Sequence, residues 1–201
     1  MNAQSRKLIT GGLSKPSKMP GYAYNLPATE CNVGAKLVQV PGSVCHGCYA
    51  LKGRYRFPNV KEAMHRRLKS IDGPLWVETM AADINARKSK YFRWHDSGDI
   101  QSLAHLKKIF DVCKLTPNVA HWIPTRESGI LSTLGPEEVP ANLTIRLSAT
   151  MVDGNAPKSW PLTSTVVTEG ASCPAPKQGN ECKSCRNCWD QSIKNIAYGK
   201  H

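Results

Sequence analysis

Hydrophobic residues in the middle of the chain form short runs, separated by longer stretches in which apolar positions recur every three or four residues. Four runs rich in β-branched and aromatic residues predict β-strands: "YFRWH", "VAHWI", "LTIRL" and "TSTVVT". Three stretches predict amphipathic helices, over 60–71, 74–90 and 102–115. Strands that are connected by helices or long segments, rather than by tight turns, favour a parallel sheet. The pattern therefore predicts an α/β fold.

The two ends of the chain lack this periodicity. Proline and glycine are frequent before residue 58, which predicts a loop-rich, cysteine-bearing N-terminal segment, and a similar segment closes the chain. A length of 201 residues suffices for one globular domain. We therefore expect a single domain over 1–201, with a flexible arm at 1–20, a cysteine loop at 21–58, an α/β core at 59–170 and a cysteine motif at 171–201.

Each predicted strand runs into a small polar cluster, and ligands of parallel α/β sheets bind at the carboxyl ends of strands. Solvated loops explain one or two such clusters. They explain "HDSGD" less well. A histidine and two aspartates packed around a glycine lose hydration, which is unfavourable unless they bind a ligand or another group. His95, Asp96 and Arg126 are therefore candidate catalytic residues, and Ser148 is a candidate cofactor contact. The four clusters are 95–99, 125–127, 148–150 and 168–170.

Four cysteines lie close together near the C-terminus. Three form a CxxCxxC run, and the fourth is followed by proline, as in ferredoxin-type iron–sulfur motifs. A zinc site typically uses two separated CxxC pairs, so the spacing favours a 4Fe–4S cluster over a zinc knuckle or an unoccupied set of thiols. The candidate ligands are Cys173, Cys182, Cys185 and Cys188.

Three further cysteines, Cys31, Cys45 and Cys48, lie in the N-terminal loop without an evident fourth. A cubane held by three thiolates leaves one iron open to a substrate, cofactor or water. The alternatives are a zinc site completed by His46 or His95, or ordinary buried cysteines. The spacing leaves open whether the chain holds one cluster or two, and how the seven cysteines are shared. Cys113 falls on the apolar face of a predicted helix and is expected to be a core residue.

Eight cysteines without a secretory h-region indicate a cytosolic protein that uses them for metal rather than for disulfides. No apolar run is long enough to cross a bilayer, so no membrane partner is expected. The formal net charge of +12 favours polyanions such as nucleic acid, although metal-bound thiolates would lower it. The basic residues concentrate in "KGRYRF" and "HRRLK", which are compatible with a nucleic-acid groove or with a solvated basic face.

Four segments carry a resemblance to a known family: "NLPATEC…CHGCYALKGRY", "FRWHDSGDI", "HWIPTRE" and "CP…CKSCRNCW". In this order, and over most of the chain, they resemble the gene product 88 family of bacteriophage proteins. The resemblance implies a location in the cytoplasm of the host cell.

The layout is more distantly similar to radical S-adenosylmethionine enzymes. That similarity implies a partial (β/α) barrel-like parallel sheet and a 4Fe–4S cluster on Cys31, Cys45 and Cys48 whose open iron binds S-adenosylmethionine. It also implies that Ser97, Gly98 and Asp99 hold the amino group of this cofactor. The chain departs from the superfamily pattern in the long gap between Cys31 and Cys45, where the superfamily has CxxxCxxC, and in its short length.

The sequence supports three candidate functions. The first is a radical S-adenosylmethionine-like enzyme or a degenerate relative. The second is an iron–sulfur electron carrier or redox sensor, with an electron donor or acceptor protein as partner. The third is a nucleic-acid-binding factor with a structural metal site.

Overall fold

The computed structural model describes residues 1–200, which form a six-stranded sheet in which every neighbouring pair of strands is parallel. The strands are β1 (Tyr22–Tyr24), β2 (Tyr91–Trp94), β3 (Ala120–Thr125), β4 (Leu143–Val152), β5 (Thr163–Val167) and β6 (Asn195–Gly199). The helices are α1 (Ala3–Thr10), α2 (Asn32–Leu37), α3 (Pro58–Ser70), α4 (Trp76–Ala86), α5 (Leu103–Leu115) and α6 (Ser128–Leu131). Short 3-10 turns complete the connections.

Strand order in the sheet is the same as strand order in the chain, with β1 and β6 at the two edges. Such an order arises when each strand is laid beside the previous one by a crossover of constant hand. The predicted parallel α/β fold is confirmed. Closure into a barrel is not seen in residues 1–200, where the two edge strands β1 and β6 do not pair with each other.

The predicted helices form for the expected reasons. Pro58 occupies the first turn of α3, where its missing N–H costs nothing. The side chain of Ser102 caps α5 by accepting a hydrogen bond from the backbone N–H of His105 at 3.1 Å. Cys113 on α5 is fully buried within the hydrophobic core, which confirms its interpretation as a core residue.

The two faces of the sheet differ in character because side chains alternate along a strand. On one face, Phe92, Ile123 and Leu147 join the hydrophobic core that α4 and α5 complete. On the other face, Arg93, Trp122 and Arg146 are covered by the C-terminal segment around Trp189. The indole N–H of Trp189 donates to the backbone oxygen of Phe92 at 3.0 Å and so pins this segment to β2.

Three elements differ from the sequence-based expectation. The arm expected at residues 1–20 contains α1, whose Thr10 is buried and whose backbone oxygen accepts from the hydroxyl of Tyr24 at 2.6 Å. Strands β1 and β6 lie in segments that the pattern treats as loops. Strand β4 continues to Val152, so Ser148 and Thr150 lie inside a strand and not after it.

None of the helices in residues 1–200 has the length and the apolar character that a bilayer crossing requires. All eight cysteines are free thiols.

Candidate metal centres

Cys31, Cys45 and Cys48 form a first group, the three-thiolate set, on the connection that follows β1. Gly34 in α2 explains how two of the sulfurs converge. A Cβ atom at Gly34 would lie 3.5 Å from the Sγ of Cys31 and 3.7 Å from the Sγ of Cys45. It would also lie 2.9 Å from the Cβ of Cys31, a distance that real Cβ contacts avoid. A larger residue at position 34 would therefore collide with the Cβ of Cys31 and force this part of the loop to shift.

The loop that carries Cys45 and Cys48 is fixed to the end of β4. The backbone N–H of Val44 donates to the oxygen of Thr150 at 2.9 Å, and the buried hydroxyl of Ser43 donates to the oxygen of Leu37 at 2.6 Å. Cys48 closes the turn by donating its N–H to the oxygen of Cys45 at 3.1 Å. The third polar cluster, residues 148–150, thus binds the cysteine loop through the backbone oxygen of Thr150.

The thiols of this set disfavour ionisation in one another's presence. Burial raises the pKa of Cys31, and the nearby charges of Asp99, Cys45 and Cys48 raise it further. Burial likewise raises the pKa of Cys45, although the guanidinium of Arg126 opposes that shift. A positive charge close to Cys31 and Cys45 would favour their thiolate forms.

Cys173, Cys182, Cys185 and Cys188 form a second group, the four-thiolate set. It is assembled from distant parts of the chain by backbone hydrogen bonds. Cys173 donates to the oxygen of Ala197 in β6 at 3.0 Å, and Cys182 donates to the oxygen of Lys18 at 2.9 Å. Cys185 closes a turn by donating to the oxygen of Cys182 at 2.8 Å.

Two cysteines of the second group are influenced by the charges of other members of the group. Burial raises the pKa of Cys182, and the charges of Cys173 and Cys185 raise it further. Burial raises the pKa of Cys188 to about 11, against the lowering effect of the Tyr198 hydroxyl, 3.1 Å away, and of Arg93. The cysteines that contribute to these shifts always belong to the same group as the cysteine that they affect.

Arg146, which the sequence motifs do not include, holds the segment that carries Cys188. Its side chain is completely buried on β4, and its guanidinium donates to four backbone oxygens of the segment around Cys188. The acceptors are Asn187 at 3.1 Å, Cys188 at 3.1 Å, Asp190 at 2.6 Å and Ile193 at 2.8 Å. The sequence signal was an arginine inside the apolar run "LTIRL", a position that a buried strand fills with charge only when the charge has partners.

The first two polar clusters meet at the carboxyl ends of β2 and β3. One carboxylate oxygen of Asp99 accepts from the N–H of Ile100 at 2.8 Å, and the other accepts from the N–H of Arg126 at 2.9 Å. Burial raises the pKa of Asp99 to about 6, although these bonds and the Thr125 hydroxyl lower it. Asp99 therefore connects two strand ends directly beside Cys31 and Cys45.

The other residues proposed to contact a cofactor are engaged within the protein. The hydroxyl of Ser97 donates to the oxygen of Leu26 at 2.7 Å. Gly98 has φ +76° and packs against Leu26, so that a Cβ atom there would lie 2.5 Å from the Leu26 Cβ. Ser148 pairs with Ser164 across β4 and β5 at 2.9 Å. The fourth cluster, 168–170, is exposed.

The candidate catalytic residues retain unsatisfied polar atoms. Both ring nitrogens of His95, Oδ1 of Asp96 and Nε of Arg126 are buried without a hydrogen-bond partner. His95 is held at φ 56°, and burial lowers its pKa well below the ordinary value of 6.5. Asp96 accepts on its other oxygen from the Tyr55 hydroxyl at 3.0 Å. Native proteins satisfy nearly all such atoms, so the unsatisfied atoms at the ends of β2 and β3 are consistent with the candidate site that the sequence predicts there.

Neither cysteine set forms a single-ion site with a histidine. Within the described part of the chain, no three His, Cys, Asp or Glu side chains are grouped so that they could hold one metal ion. His46 is exposed with Nδ1 3.0 Å from the oxygen of Val38, and His95 packs in the interior against His105.

The comparison with known families gives one match. The family model described as gene product 88 matches residues 1–167. The matched region includes β1 to β5 and the three-thiolate set, and it ends before Cys173. Neither a curated protein nor a solved structure matches the chain, and the similarity to radical S-adenosylmethionine enzymes finds no support in these comparisons.

Proposed function

The chain belongs to the gene product 88 family, and we propose that it is an iron–sulfur protein with a 4Fe–4S cluster in each of its two cysteine sets. One observation carries this proposal. Seven cysteines separate into a group of three around α2 and a group of four around β6, and none of them forms a disulfide. Sets of three or four thiolates at such sequence spacings are typical ligands of 4Fe–4S clusters.

The two sets have different chemical capacities. Four thiolates occupy every iron of a cubane, so the C-terminal set is suited to accepting and releasing single electrons or to holding structure. Three thiolates leave one iron without a protein ligand, and the unsatisfied atoms of Asp96 and Arg126 lie at the neighbouring strand ends. The three-thiolate set is therefore the place for substrate or cofactor chemistry, with a protein as electron donor. The reducing host cytoplasm would keep all seven thiols available.

Iron and sulfide counting tests this proposal. The protein purified or reconstituted without oxygen should contain about eight irons and about eight sulfides per chain, and show EPR signals upon reduction. Cys45→Ala and Cys185→Ala should each lower the count to about four and remove different EPR signals. Cys113→Ala, in the core, is the matched control and should leave the count unchanged.

A colourless protein that contains zinc without iron would overturn the proposal. A count of about four irons that both Cys45→Ala and Cys185→Ala abolish would show that the sets share a single cluster, which is equally incompatible with it.

A radical S-adenosylmethionine-like activity is the second candidate. The observation that favours it is the position of the three-thiolate set, on the connection after β1 and beside Asp99 at the carboxyl edge of a parallel sheet. Addition of S-adenosylmethionine should then change the EPR signal that Cys45→Ala removes. If this EPR signal does not change at millimolar S-adenosylmethionine, the radical activity is excluded, and an electron carrier or redox sensor is the function that we infer.

A further inference from the structure

Two adjoining depressions run along the exposed side of α3. The first has a volume of about 210 Å³ and lies between α3 and the cysteine loop, with Thr29, Leu51 and Arg56 in its wall. The second has a volume of about 510 Å³ and lies between α3 and α1, with Leu8 and Lys69 in its wall. His65 lines both, so the depressions form one groove, which we call the α3 groove.

The α3 groove is strongly basic. Residues 52–69 include seven lysines and arginines against a single acidic residue, Glu62. Arg67 is buried and donates to the oxygen of Gly12, and Arg66 is half-buried. The other five are exposed, and no ion pair among the described residues involves them: Lys52, Arg54, Arg56, Lys61 and Lys69. Three of these five, Arg56, Lys61 and Lys69, line the groove, and unpaired cations along a groove attract a polyanion.

The basic side chains on α3 are in line. Lys61, His65 and Lys69 are spaced by four residues, so they lie on one side of the helix and follow one another at intervals of about 6 Å along its axis. A polyanion that lies along the helix would meet a positive or protonatable group at each step.

An exposed aromatic side chain stands at the start of this row. Phe57 directly precedes α3, is 55% exposed and follows Arg56 in the chain. Aromatic rings in a basic groove stack on unpaired nucleic-acid bases, and a guanidinium strengthens such contacts. Bases inside a duplex are already stacked and would not use this ring.

We propose that the α3 groove binds single-stranded nucleic acid, with phosphates on Arg56, Lys61 and Lys69 and a base on Phe57. Thr29 and Leu51 in the wall of the groove lie two and three residues from Cys31 and Cys48. A bound strand would therefore run toward the three-thiolate set. The binding itself depends on the side chains of α3 and not on whether the cysteines hold iron.

The salt dependence of binding tests this inference. Fluorescence anisotropy of the full chain, isolated without oxygen, should show binding of labelled oligothymidylate or oligouridylate that is tighter than binding of a duplex of equal length. The slope of log K against log salt should be about −0.7 for each phosphate contact. The triple variant Arg56→Ala, Lys61→Ala, Lys69→Ala should make this slope less steep by about 2.

Two further variants complete the test. Lys114→Ala, Lys158→Ala, Lys194→Ala removes the same charge from exposed positions outside α3 and should leave the slope unchanged. Phe57→Ala should weaken single-strand binding about tenfold without changing the slope, since a ring contributes stacking and no charge. Circular dichroism and iron content should match those of the parent protein in every variant.

Several outcomes would overturn the inference. They are affinity that does not depend on salt, equal losses in the two triple variants, tighter binding to duplex than to single strands, or tighter binding to vesicles rich in phosphatidylglycerol than to either nucleic acid.

Discussion

Buried histidines make the core sensitive to acid. His121 is fully buried, and its Nδ1 accepts a hydrogen bond from the indole N–H of Trp94 at 3.2 Å. The proton of the neutral ring therefore resides on Nε2, which lies 2.8 Å from the hydroxyl of Thr116. Burial lowers the pKa of His121 to about 3, and it lowers the pKa of His105 to about 3 as well. A second proton on His121 would break its bond to Trp94.

Acidification is therefore expected to destabilise the protein. Between about pH 6.5 and pH 3 an unfolded histidine binds a proton that buried His121 does not, so stability falls as the pH decreases through this window, by about 1.4 kcal/mol per pH unit. Burial raises the pKa of Asp99 to about 6, so the folded protein binds a proton at Asp99 between pH 6 and pH 3.8 that the unfolded chain does not. In this window Asp99 therefore increases the stability as the pH falls, which opposes the effect of His121. The urea midpoint of His121→Gln should depend less steeply on pH than that of the parent. Exposed His65→Gln is the control, and equal slopes in all three proteins would refute the assignment.

At the scale of elements, the C-terminal segment depends on one face of β4. Arg146 reaches four of its backbone oxygens, and the Thr144 hydroxyl donates to the oxygen of Trp189 at 2.9 Å. The planar guanidinium suits this arrangement because it directs several donors in fixed directions, whereas a lysine offers a single nitrogen. The segment is thus docked by a buried cation that has no carboxylate partner in residues 1–200.

Replacement of this cation should release the second cysteine set. We expect Arg146→Lys to lower the stability by about 2 kcal/mol or more, because buried carbonyl groups lose their donors. Iron content should fall from about eight to about four per chain, with loss of the EPR signal that Cys185→Ala removes. Arg87→Lys, directly after α4, is the control, because this side chain is 34% exposed. Full iron content in Arg146→Lys would contradict this role.

Sequence patterns predicted the elements whose length and periodicity are strong. Strands β2 to β5 and helices α3 to α5 were found because their apolar positions repeat over four or more residues. Strand β1 was missed because three residues show no period, and "NIAYG" of β6 alternates too weakly to stand out. The meeting of Asp99 with Arg126 followed from parallel strand ends. The docking of Cys182 onto Lys18 could not be predicted, since it depends on long-range backbone contacts.

At the scale of the whole molecule, the charge of Arg93 acts both on the four-thiolate set and on Asp96. Its guanidinium lies 4.5 Å from the centre of the Trp122 ring. Burial raises the pKa of Cys182, Cys188 and Asp96, and the charge of Arg93 opposes this rise in all three. Tyr198 completes the surroundings of Cys188, because its hydroxyl must be the donor once that sulfur is a thiolate. The environment of the four-thiolate set is therefore rich in groups that stabilise added negative charge.

These groups should set the reduction potential of the C-terminal cluster. Hydrogen bonds to ligand sulfurs are among the factors that tune such potentials, and they favour the reduced, more negative state. Tyr198→Phe should lower the potential by on the order of 60 mV, which corresponds to one hydrogen bond of about 1.4 kcal/mol for a one-electron step. An EPR-monitored redox titration measures this shift. Tyr91→Phe is the control, because the Tyr91 ring packs on Trp189. If the reduction potential of Tyr198→Phe equals that of the parent protein, the Tyr198 hydroxyl does not bind a ligand sulfur of the cluster.

Strand order has a consequence for the timing of assembly on the ribosome. Each strand pairs with the strand made just before it, so every newly synthesised strand finds its neighbour in place. The contact of Cys182 with Lys18 joins the earliest segment to one of the latest. If the two sets bind clusters as proposed, the three-thiolate set could receive iron while the nascent chain is still growing. The second set would be complete only after translation has passed residue 188.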